Sequence, residues 1–190
     1  MSKRNENDTS LIGFWIYMMT DCILFASLFA VFIVLRNNTS GGKTGAELFS
    51  LPFVLTETLL LLLSSFTSGI ALLSAQRSKI KDTIYWLAAT AILGASFLAL
   101  ELHEFTTFDH EGNSWRSSAF LSSYFTLVGT HGLHITAGLL WLVALLFYLF
   151  KKGINEVSLR RLTMFSIFWH FLDIVWIFIF SVVFMLGVLK

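Results

Sequence analysis

AFLSSYFTLVGTHGLHITAGLLWLVALLFYLF, residues Ala119 to Phe150, contains no Asp, Glu, Lys or Arg. A helix crossing a hydrocarbon core of about 30 Å needs about 20 mainly apolar residues, and this run exceeds that. It is far longer than the alternating ~10-residue strands of an outer-membrane barrel. Open strands in lipid would leave their edge N–H and C=O groups unsatisfied. Four further runs meet the same test: Leu11 to Leu35, Pro52 to Ala75, Ile84 to Phe105 and Leu162 to Leu189. The expected fold class is all-α, an integral membrane bundle of five transmembrane helices forming a single domain over residues 1–190.

The bulk composition agrees. The chain is 56% hydrophobic and 13% charged, against about 25% charged in ordinary soluble domains, and its mean hydropathy is +0.75. A net charge of +1 does not supply the concentrated basic face that nucleic-acid binding requires. The single cysteine, Cys22, forms no intrachain disulfide and lies in an apolar run, where it reads as a small hydrophobe. The polar leader MSKRNENDTS is followed by an apolar run longer than the roughly 7–15 residues of a secretory h-region, so the first run is expected to stay as a span. Pro52 stands at the start of the second run, where its missing N–H costs nothing.

The polar residues gather in short connectors, RNNTSGGKTGAELFSL, QRSKIKDT, TTFDHEGNSWRSS and KKGINEVSLRR. Lys3, Arg4, Arg77, Lys79, Lys81, Lys151, Lys152, Arg160 and Arg161 fall on one side of the membrane, and Arg36, Lys43, Arg116 and Lys190 on the other. The positive-inside rule then predicts a cytoplasmic N-terminus and a C-terminus on the periplasmic side. Small residues recur at Ala91, Ala95 and Ala99, beside Thr90 and Gly94, and at Gly129, Gly132 and Gly138. Such faces let helix backbones approach closely.

Ionisable groups within the spans are the candidates for function, because a charge at bilayer depth costs at least about 2.5–3.5 kcal/mol on insertion scales. They are Asp21, Glu57, Glu101, His103, Glu104, His131, His134, His170 and Asp173. Residues three apart share a helical face, which pairs His131 with His134, His170 with Asp173 and Glu101 with Glu104. At 1.5 Å per residue, Asp21, His134 and Asp173 lie near the middle of their spans. Glu57, Glu101 and Glu104 form a second, outer level.

Three readings of these groups stand. They can fasten helices together, the acids accepting from an imidazole or from the indole N–H of Trp169 or Trp176. They can hold a metal, although di-iron carboxylate bundles use Glu-x-x-His and none occurs here. They can relay protons. Neither a nucleophile with a paired base nor a phosphate-binding glycine loop is present. A transporter relaying through Asp21, Asp173 and Glu101 would show repeats or broken helices, and the sequence has neither.

Four motifs, in order, carry a resemblance: GFWIYMMTDCILF (Gly13 to Phe25), LELHEF (Leu100 to Phe105), GTHGLHITAG (Gly129 to Gly138) and FWHFLDIVWIFIF (Phe168 to Phe180). Together they resemble subunit III of haem-copper terminal oxidases, over about Gly13 to Gly187. Five helices, Asp21 in a D-C-I-L-F context, LPFVLTETLLLL and RNNTSGGKTG are closest to the bo-type ubiquinol oxidase branch. The menaquinol and cytochrome c oxidase branches are the alternatives; in the latter a carbodiimide-reactive glutamate stands where Asp21 stands here. The resemblance implies a non-catalytic subunit of a bacterial inner-membrane oxidase that supports assembly, phospholipid binding and proton uptake by subunit I. Haems and copper are expected on subunit I, none on this chain, with subunits II and IV as further partners. Asp21, Glu57, Glu101, Glu104, His131, His134, His170 and Asp173 are then expected as structural, lipid-cleft or proton-related residues, neither catalytic nor metal-binding.

Overall fold

The computed structural model describes the backbone of residues 2–36, 38, 51–110 and 118–185, and the side chains of all of these except 2–8, 51, 109 and 110. Five long helices follow in chain order: α1 (Ser2–Leu35), α2 (Leu51–Gln76), α3 (Ile80–His110), α4 (Ala119–Lys152) and α5 (Glu156–Ile179). A π-helical stretch, Phe180–Met185, prolongs α5 and buries Val183 and Phe184. Each of the five helices is long and apolar enough to cross a membrane. Side chains such as Val34, Ile23, Leu133 and Leu140 are about two-thirds or more exposed, a surface suited to lipid tails and not to water. The connectors after Leu35 and after His110, and the chain beyond Met185, lie largely outside the described residues.

Local chemistry sets the described helix ends. Ser118 caps α4 by accepting from the Leu121 N–H at 3.1 Å. Asn155 caps α5 reciprocally: its Oδ1 accepts from the Ser158 N–H at 2.8 Å, while the Ser158 hydroxyl accepts from the Asn155 N–H, a capping box. Between them Gly153 takes φ +67°, a left-handed conformation that costs glycine nothing, and its N–H closes the last turn of α4 on the Leu149 carbonyl. Ser78 takes φ 56° in the tight turn between α2 and α3. At the Gly153 end, Arg161 and Lys152 lie over the Tyr148 ring at 4.7 and 5.6 Å.

α2, α3, α4 and α5 close a ring in that order, each packed on the next and α5 on α2, while α1 stands outside and packs chiefly on α4. Aromatic pairs give the directions. Phe32 meets Phe120 and Phe25 meets His134, so α1 is antiparallel to α4. Tyr17 meets Phe168 and Phe29 meets Phe178, so α1 is parallel to α5.

The ring packs around Trp169, which is 1% exposed. A Cβ added at Gly94 would lie 2.9 Å from its Cζ2, and one at Gly138 2.8 Å from its Cζ3. These two glycines, one from α3 and one from α4, make the seat for the indole. The small-residue expectation holds there, at Gly132 and at the buried Thr90, and is not met at Ala95, Ala99 and Gly129. Ala95 and Ala99 are exposed, because α3 packs chiefly on α2 and α4 through its other faces, and nothing closer than 3.9 Å meets a Cβ at Gly129. Gly138→Val should therefore displace Trp169, costing about 1–3 kcal/mol, whereas Gly129→Ala should be nearly neutral. Thermal melting in mild detergent checks both, and equal melting points would contradict this seat.

Candidate functional site

The polar groups occupy two levels. At mid-span, the His134 imidazole is fixed at one nitrogen and faces an acid with the other. Its Nδ1 lies 2.7 Å from the Thr130 carbonyl, one turn earlier. A carbonyl can only accept, so Nδ1 carries the proton. Nε2 then lies 3.6 Å from Asp21 Oδ1, longer than a good hydrogen bond, and becomes an ion pair when Nε2 is also protonated. Asp21 is 4% exposed and its Oδ2 has no hydrogen-bond partner. This contact ties the outlying α1 to the ring.

His131, three residues before His134, is fully buried with neither ring nitrogen hydrogen-bonded. Its surroundings are aromatic: Trp176 at 5.3 Å with planes 30° apart, Phe97 at 6.0 Å edge-on and Phe25 at 6.4 Å. The pair His131 and His134 does share a face, as both rings meet Phe25. His170 and Asp173 are close enough to interact electrostatically but differ in exposure. His170 is exposed, its Nδ1 held 2.6 Å from the Ser166 carbonyl, whereas Asp173 is 8% exposed and its Oδ1 has no hydrogen-bond partner.

The second level gathers Glu57 from the start of α2 with Glu101 and Glu104 from the end of α3, at 0%, 2% and 8% exposure. The three are close enough to interact electrostatically. Tyr124 of α4 donates to Glu104 Oε2 at 3.2 Å. Glu101 lies flat on the backbone of α4, where a Cβ at Gly132 would come within 2.7 Å of its Oε1. Neither oxygen of Glu57 or Glu101 has a hydrogen-bond partner. His103 points outward, and the His110 side chain lies outside the described residues.

The indole N–H groups take partners other than the expected acids. Trp169 donates to the Ser64 hydroxyl at 2.8 Å and Trp176 to the Thr58 hydroxyl at 3.1 Å. Thr67 and Thr90 share a hydrogen bond of 2.9 Å between α2 and α3. Sequence reasoning missed Tyr124 and these hydroxyls. One signal was available for Tyr124, which precedes His131 by seven residues and Gly138 by fourteen, the repeat of a single buried face. Among the described residues no three His, Cys, Asp or Glu side chains converge as metal ligands would.

The profile of the family described as cytochrome c oxidase subunit III matches residues 7–188. A Pseudomonas aeruginosa protein named cytochrome bo(3) ubiquinol oxidase subunit 3 is 49% identical over 185 residues, 97% of this chain and 88% of that relative. The chain belongs to the cytochrome c oxidase subunit III family. A Buchnera aphidicola member from Schizaphis graminum, also named cytochrome bo(3) ubiquinol oxidase subunit 3, is 42% identical over the full length of both chains. A Bacillus sp. PS3 member, named cytochrome c oxidase subunit 3, is 42% identical over 96% of this chain and 88% of its own.

In this member of the subunit III family, the four quoted motifs meet inside the bundle. GFWIYMMTDCILF brings Asp21 and Phe25 to His134 and His131 of GTHGLHITAG. LELHEF lays Glu101 on Gly132 of that same motif, and FWHFLDIVWIFIF supplies Trp169 and Trp176.

Proposed function

We propose that this chain is the non-catalytic subunit III of a proton-translocating ubiquinol oxidase of the bacterial inner membrane, with its N-terminus in the cytoplasm. Near full-length similarity to subunits named for cytochrome bo(3) ubiquinol oxidase supports the quinol branch. In this reading haems and copper are carried by subunit I, which this chain packs against, with subunits II and IV in the same complex and phospholipid along its faces. Ubiquinol oxidation and dioxygen reduction then belong to the assembly, and this chain supports assembly, lipid retention and sustained proton uptake.

The observation that carries the non-catalytic part is the fate of the imidazoles. His134 is committed at Nδ1 to its own helix and faces Asp21 with Nε2, and His131 is enclosed by aromatic rings. Among the described residues neither imidazole is grouped with two further His, Cys, Asp or Glu side chains of the kind a copper centre gathers, which supports the non-catalytic reading. What the arrangement does is fasten helices: α1 to α4 through Asp21, α3 to α4 through Tyr124, and α2 to α5 through the two indoles.

Purification in mild detergent from membranes that also hold its neighbours is expected to bring down a haem-bearing polypeptide. Recovery only as a lone homo-oligomer would overturn the proposal. Within the purified complex, His134→Leu and Asp173→Leu are expected to lower subunit retention or bound phospholipid while leaving the haem absorption bands in place. A lost haem band in an otherwise intact complex would contradict the non-catalytic assignment.

A further inference from the structure

Because α1 stands outside the ring, it leaves a groove of about 400 Å³ against α5, floored by Leu72 of α2. Its walls include Trp15, Met18 and Met19 from α1 and His170, Phe171 and Ile174 from α5. Nearly everything in it is apolar; the polar exceptions are His170 and, one turn before it, Ser166, whose hydroxyl lies 3.4 Å from His170 Nδ1, so His170 Nε2 defines what can fill it. His170 stands at the middle of its span, Glu156–Met185, about 15 Å from either face of the hydrocarbon core. Its Nδ1 proton is spent on the Ser166 carbonyl, which leaves Nε2 an acceptor on an exposed ring; Asp173, three residues on, interacts with that ring electrostatically, and no described residue hydrogen-bonds Nε2.

We infer that this groove receives a transmembrane helix of the oxidase partner, which donates a side-chain hydrogen bond to His170 Nε2. The inference rests on the subunit reading above and goes further by naming the docking face and its chemistry. Lipid tails fill grooves but carry no donor, and lipid headgroups do not reach mid-depth, whereas polar side chains at this depth commonly join one helix to another. The shape agrees. α1 and α5 run parallel here, and the wall residues extend from Trp15 to Cys22 and from Ser166 to Ile174, about two helical turns each, the length over which a neighbouring helix seats successive side chains. The methionines suit such a surface, since an unbranched thioether adapts to the knobs it meets.

The test uses the assembled oxidase in its native membranes, with a photo-activated p-benzoylphenylalanine at Met19 and a control probe at Phe147, which is exposed but outside the groove. Light is expected to join the Met19 probe to the haem-bearing polypeptide and the Phe147 probe mainly to phospholipid. His170→Leu should lower the Met19 crosslink several-fold, and His170→Gln, which keeps an acceptor, should largely retain it. The His170 ring bonds only within its own helix turn, so both variants should still fold, with co-purification of the haem polypeptide as the check. Adducts at Met19 to phospholipid or quinone alone, in a complex that still contains the haem polypeptide, overturn the docking face and leave the subunit reading intact. A crosslink unaffected by His170→Leu overturns the donor to His170. Absence of any haem polypeptide overturns the subunit reading and this inference with it.

Discussion

Trp169→Ala is expected to destabilise the bundle by about 3 kcal/mol. Truncating a buried aromatic costs about 3–5 kcal/mol in soluble cores. The lower end applies here because lipid tails are as apolar as the core, so the lost energy is packing and not transfer from water. The indole touches α3 at Gly94, α4 at Gly138 and α2 at Ser64, so its removal opens a void shared by the whole ring. Trp169→Phe keeps most of the ring and loses the N–H donated to Ser64, a loss of about 1 kcal/mol. Unfolding in mixed micelles at rising detergent fraction separates the two. If Trp169→Ala unfolds at the wild-type midpoint, the ring is not centred on this side chain.

The second large effect is asymmetric. His134→Leu removes the imidazole that faces Asp21 and leaves the buried carboxyl with Tyr17 alone, and removing one side of a buried pair costs about 3 kcal/mol, the low end because Tyr17 remains. Asp21→Leu leaves His134 with its Thr130 carbonyl still bonded, and a lost interhelical polar contact in a membrane averages only about 0.6 kcal/mol. The double replacement should cost much less than the sum of the two, since it removes both polar groups from apolar surroundings. A double-mutant cycle measures this directly. Additive losses, or a larger loss from Asp21→Leu, would mean that the two side chains do not act as a pair.

The five crossings were legible because length and apolarity decide them, and the depth of each polar group followed from a constant rise per residue. That register placed Asp21 and His134 at one level and Glu57, Glu101 and Glu104 at another, where the structure also has them. What linear spacing does not carry is the rotation of each helix about its axis. His170 and Asp173, three residues apart, differ by about 60° around the helix. That is enough to put one on the open groove and the other inside, and only the position of α1 decides which. The same holds for Ala95 and Ala99, whose spacing matches a packing face that no described residue covers. The indole partners were hidden for another reason: Ser64 and Thr58 are unremarkable hydroxyls, more than a hundred residues from Trp169 and Trp176, and nothing local marks them as acceptors.

The outlying place of α1 also has a consequence for biogenesis. Of the five helices α1 leaves the ribosome before the others, yet the surface that receives it belongs mainly to α4, and His134 is made only after two more helices have been threaded. At about 5–20 residues per second, Asp21 waits on the order of ten seconds for the imidazole that faces it. During that interval a carboxyl group sits at the middle of an otherwise lipid-soluble helix, held in the bilayer by the apolar residues on either side of it. The earliest of the five helices is thus locked only once the fourth has arrived, and the pairing of Asp21 with His134 marks the point at which α5 alone of the described helices is still to be delivered.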